Sequence, residues 1–140
     1  MRILKTINLL FILSLLISCD NYVTVDGIQI SNHLCEIAEE RYGVEYAVLL
    51  GKSLANDKNS IREFASLSFD GAYGYEHGEI VVKLINRVGS EKFISAIENI
   101  DEAGRNLLIT SIQVGLEYGK TTEYERYTAK TVLQFLGKHK

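Results

Sequence analysis

From residue 32 onward, apolar residues return every three to four positions in segment after segment, and not one proline interrupts the chain. A proline inside a helix removes a backbone hydrogen bond and clashes with the turn before it. A proline-free chain with this spacing is therefore open to helix over most of its length. The clearest stripe is Ile80, Val81, Leu84, Ile85 and Val88, which places five apolar side chains on one helical face. Similar stripes run through Leu34, Ile37 and Ala38, through Ile61, Phe64 and Ala65, and through Phe93, Ile94, Ile97 and Ile100. Two more use Leu108, Ile112 and Leu116, then Tyr124, Thr128, Thr131, Val132, Phe135 and Leu136. Glu45 to Leu54 is apolar nearly all round, carrying Tyr46, Ala47, Val48, Leu49, Leu50 and Leu54. Such a helix is expected at the centre of a fold.

Helix ends are also marked. Gly43, Gly89 and Gly119 stand where stripes stop, as C-terminal glycines do. Ser31 or Asn32, Ser90 and Asp101 stand where they begin. Ser60-Ile61-Arg62-Glu63 and Thr122-Glu123-Tyr124-Glu125 both read as capping boxes, in which hydroxyl and carboxylate each satisfy an orphan N–H. Short connections favour antiparallel neighbours. The expectation is an all-α fold: a compact bundle, or stacked antiparallel helix pairs, of about six to seven short helices over residues 32–140.

The first 19 residues follow different rules. Arg2 and Lys5 precede an apolar run from Leu9 to Ile17 that only Ser14 interrupts. About 20 apolar residues are needed to span a bilayer core, so this run has the length of a signal-peptide core instead. Leu16-Ile17-Ser18-Cys19 then gives an aliphatic residue, a tolerated one, a small one and a cysteine. This resembles the lipobox of bacterial lipoproteins. The resemblance implies removal of residues 1–18 and acylation (diacylglyceryl and palmitate chains) of Cys19, and it covers residues 1–19 only. Two or three acyl chains anchor stably at about 0.8 kcal/mol per buried CH₂. The chain is then expected at the bacterial cell envelope, with its domain facing the periplasm or the cell exterior. In an enteric-like host, Asp20 behind the cysteine resembles an inner-membrane retention signal. Residues 19–31 read as the lipidated cysteine and a flexible tether, with a brief extended patch at Tyr22 to Val25.

Charge narrows the partners. The chain has 15 Lys+Arg against 18 Asp+Glu. Removing residues 1–18 takes away two basic residues and no acidic ones, leaving 13 against 18, a balance of −5. A mildly acidic domain argues against a nucleic-acid partner and against membrane attraction beyond the lipid. Of the two cysteines, acylation of Cys19 leaves Cys35 without an intrachain partner. Cys35 lies among Leu34, Ile37 and Ala38, as a buried, inert thiol would.

Asp70 to Gly78 lacks a helical stripe and carries three glycines, so a loop is expected, with helix resuming at Glu79. It holds the densest set of functional groups: Asp70, Tyr73, Tyr75, Glu76, His77 and Glu79. A glycine-rich connection with acids at the next helix start explains it structurally. A protein-recognition loop anchored by Tyr73 and Tyr75 is the functional alternative. Asp70, His77 and Glu79 could ligate a metal. However, His77 and Glu79 are two apart, and His33 and His139 sit near the domain ends. No nucleophile elbow or H-E-x-x-H accompanies His77. No cofactor, metal or catalytic residue is therefore expected. Tyr118, Tyr124 and Tyr127 are expected to cover the core edge.

The leading expectation is a non-enzymatic, membrane-anchored module that binds a protein partner at the envelope. Small immunity or inhibitor lipoproteins share this plan of anchor plus compact acidic domain, an analogy of architecture alone. The alternative is a structural accessory subunit of an envelope assembly. Third comes an enzyme using Glu76 and His77 of the 70–79 segment.

Overall fold

A computed structural model describes residues 21–138. The lipobox, Cys19 and Asp20 lie outside the described residues. The chain opens with a hairpin: β1, Tyr22–Val25, pairs antiparallel with β2, Ile28–Ser31. Seven helices follow: α1 (Asn32–Tyr42), α2 (Tyr46–Leu54), α3 (Lys58–Ala65), α4 (Gly71–Val88), α5 (Ser90–Ile97), α6 (Glu102–Tyr118) and α7 (Glu123–Lys138). Among the described residues, the fold is all-α apart from this one small sheet.

The hairpin replaces the expected tether. Its two-residue turn is Asp26-Gly27, with φ of 47° and 80°. Positive φ at both central residues matches the right-handed twist of the flanking strands, and Asp-Gly supplies it at little cost. The register pairs Val23 with Ile30 and Val25 with Ile28, so these four share one face. Ile28 and Ile30 on that face are buried. The dipeptide was a readable signal, and the alternation of β2 agreed with it.

The helix ends follow local chemistry. The Ser31 hydroxyl accepts from the Leu34 N–H, and Gly43 closes α1 in the left-handed region with its N–H on the Glu39 carbonyl. Asp101 accepts from the Gly104 N–H at 2.8 Å to start α6. Thr122 and Glu125 form the reciprocal capping box. Ser60 is not a cap: α3 begins two residues earlier, and Asp57 accepts from the Ser60 N–H and hydroxyl. An Asp preceding the first turn outcompeted a Ser inside it, because its carboxylate accepts both bonds.

The central element is α4 rather than α2. Against α4 pack α1, α2, α5, α6, α7 and β2. On α2 only one side is fully covered, by Tyr46, Leu49, Leu50 and Ser53, while Val48 is exposed. The closest packing is between α4 and α6. A Cβ on Gly78 would sit 2.6 Å from the Ser111 carbonyl oxygen and 2.8 Å from the Gly115 nitrogen. A Cβ on Gly115 would collide with the Gly78 carbonyl. Backbone therefore meets backbone at this crossing, which only a glycine on each side permits.

Candidate functional site

The expected loop at 70–78 is the first two turns of α4. Glycine costs a helix about 1 kcal/mol relative to alanine, yet here Gly78 makes the contact with α6, and tertiary packing overrides the propensity. This changes the meaning of the whole cluster. Consecutive helical residues diverge by about 100° around the axis. Side chains that a loop could have gathered are instead sent to separate neighbours.

Tyr73 turns partly inward and packs on the core. Glu76 accepts both the backbone N–H and the hydroxyl of Ser31, each at 2.6 Å, and so fastens the hairpin to α4. Glu79 pairs with Lys83 one turn on. Asp70, at the helix N-terminus, meets Arg41 at 3.3 Å on the surface. His77 is buried among Tyr46, Phe64 and Phe69, with ring centroids 5.0 to 5.8 Å away. Its Nδ1 lies 2.8 Å from the Tyr46 hydroxyl. Burial lowers the His77 pKa to about 3, with a smaller opposing effect from the Leu67 backbone. Neither Glu76 nor Glu79 partners the imidazole, so the acid/base pair weighed from the sequence does not assemble. Asp70, His77 and Glu79 likewise point apart. Among the described residues, no three His, Cys, Asp or Glu side chains are grouped as metal ligands.

Cys35 is half-buried, not fully buried. Burial first, and the Glu76 charge second, push its thiol up, which disfavours the nucleophilic thiolate.

Tyr75, like Asp70, stays at the surface. It meets Tyr118, the last residue of α6, with centroids 4.8 Å apart and planes tilted by 39°. Both rings are about half exposed, at 49% and 58%. Beside Tyr75 runs a cleft of about 200 Å³, bordered by Phe69, Asp70, Gly74, Tyr75, Thr110 and Val114. From the sequence alone the two tyrosines belong to different places, Tyr75 to a recognition loop and Tyr118 to the core edge. Tyr118 was expected to cover the core edge with Tyr124 and Tyr127, yet all three are largely exposed. Only the α4–α6 crossing, set by Gly78 and Gly115, brings position 75 to position 118. A larger and more open groove of about 460 Å³ lies between Tyr42, Val44, Arg62, Glu63 and Leu67. It holds none of the six residues of the 70–79 cluster.

Comparisons with known protein families, with curated proteins and with solved structures found no match to this chain. Among the described residues, no helix is long and apolar enough to cross a membrane.

Proposed function

We propose that this chain is a membrane-anchored lipoprotein, acylated at Cys19, whose helical domain binds a protein partner at the cell envelope in the manner of an immunity or inhibitor protein. The observation that carries the binding reading is the Tyr75–Tyr118 pair. Two tilted aromatic rings in contact, both about half exposed and one of them bordering a cleft, sit on the α4–α6 helix crossing. Tyrosine is a residue type enriched at binding hot spots, because a large rigid ring loses little rotamer freedom on contact. The other candidate groups are engaged within the domain: Glu76 on the hairpin, His77 in the core and Glu79 on Lys83. The partner-binding residues are therefore Tyr75, Tyr118 and the adjoining Asp70. The anchor rests on the resemblance of residues 16–19 to a lipobox.

Two measurements test this. The full-length protein and a Tyr75→Ala/Tyr118→Ala variant are each recovered from their own envelope, and co-purifying proteins are identified by mass spectrometry. A partner retained by the parent and lost by the variant, at unchanged Tm, supports the reading. An identical set of proteins from both would sink it. Palmitate labelling of the parent and its loss in Cys19→Ala test the anchor independently.

A further inference from the structure

The covalent path from Cys19 to folded protein is short. The Asn21 carbonyl accepts from the Asn32 N–H at 3.0 Å, so the described hydrogen-bonded structure reaches to within two residues of the cysteine. Two residues reach at most about 7 Å, comparable to the polar layer on one side of a bilayer, about 5–8 Å. The hairpin at the end of that path is locked in place. Ile28 and Ile30 lie in the core, and Ser31 is held by Glu76 through two bonds. Arg87 donates to the Asp26 carbonyl at 2.9 Å from the other end of the hairpin. An acyl chain on Cys19 therefore enters the bilayer beside a rigid strand.

The first residues of that strand are apolar and open. Tyr22 is 57% exposed and Val23 39%. Val23 shares its face with the buried Ile30, and Tyr22, paired with Ser31, points to the other face, so the two flank the open end of the strand. Tyrosine favours the membrane–water boundary, where its ring is apolar and its hydroxyl wet.

We propose that the Tyr22–Val23 rim of β1 rests on the bilayer that receives the Cys19 lipid, holding the domain in one orientation against the membrane. The occupant of this face is the chain's own membrane, because the seven-ångström tether leaves no room for the rim to stand away from it. This inference rests on the acylation of Cys19 proposed above.

The chain has no tryptophan, so one introduced indole reports one position. Tyr22→Trp and Tyr127→Trp are each made in the full-length lipoprotein, labelled with palmitate and reconstituted into phosphatidylcholine vesicles containing brominated lipid. Tyr127 is 70% exposed on α7, which packs on α4, α5 and α6. The expected result is about twofold or greater quenching at position 22, as at an interfacial ring, with little change at position 127. Equal quenching at the two positions in vesicle-bound, labelled protein would overturn the proposal. So would a position-22 indole that is shielded from water but unquenched by the lipid, which would mean that a second copy of the chain covers the strand. Absence of palmitate label is read first. It would overturn the anchorage itself, and the docking with it, whereas label without quenching overturns only the docking.

Discussion

The Tyr46 hydroxyl and His77 Nδ1 meet at 2.8 Å inside the core, joining α2 to α4 across 31 positions of sequence. Both groups are fully enclosed. Burial, then the Glu76 charge, holds the phenol pKa well above its ordinary value, so the hydroxyl keeps its proton and can donate it to Nδ1. The imidazole is held neutral by the same burial. Its Nε2 makes no full hydrogen bond, and the Leu67 backbone offsets the burial only in part. A protonated His77 would therefore be a charge enclosed among aromatic rings, which an apolar interior strongly disfavours.

Acid should accordingly loosen this domain. The folded pKa of about 3 lies below the ordinary 6.5, so the unfolded chain binds a proton that the folded chain rejects. The His77 contribution is complete above about pH 6.5 and is lost progressively as pH falls toward about 3. Between about pH 7.5 and about pH 5.5 it amounts to roughly 1.4 kcal/mol. Urea unfolding at the two pH values measures it. A His77→Phe variant should lose this increment, and equal pH dependence in both proteins would contradict the assignment.

Gly115→Ala should be among the most damaging small substitutions. Its new Cβ meets the Gly78 carbonyl and the Val82 side chain, so α4 and α6 must move apart along their closest contact. Overpacking of this kind costs about 1–3 kcal/mol, lowering Tm by roughly 4–12 °C in a domain of this size. Gly137→Ala, where the added Cβ meets nothing, serves as the control and should leave Tm unchanged or slightly raised.

Glu76→Ala should release the hairpin without melting the bundle. The substitution removes both acceptors of Ser31, and charge-assisted bonds at a half-buried site are worth about 1.5 kcal/mol. Amide exchange at Ile28 and Ile30 should then quicken about tenfold, while exchange in the middle of α6 stays unchanged. Equal protection of the hairpin in parent and variant would show that its apolar face and the Arg87–Asp26 bond suffice to hold it.

The helices were readable because their signals are local. The Ile80–Val88 stripe, the Asp101 cap and the Thr122–Glu125 box each depend on residues within one or two turns. The hairpin was readable too, from Asp26-Gly27, but the short alternation beside it looked like a tether. The candidate cluster at 70–79 was misread for a physical reason. Glycine density argues for a loop when propensity is weighed alone, and Gly74 and Gly78 are in fact there for close approach of backbone.

By itself, the sequence determined the helical class, most helix ends and the resemblance of residues 16–19 to a lipobox. Each of these is written in spacing along the chain. Only the tertiary structure decided the fate of six neighbouring functional groups. Helical rotation sent Glu76 to Ser31, His77 to Tyr46 and Tyr75 to Tyr118. Which partner each one met depended on where α1, α2 and α6 crossed α4, and those crossings are set by complementary surfaces far apart in sequence. Periodicity records which face of a helix is buried, and it carries no record of what lies against that face.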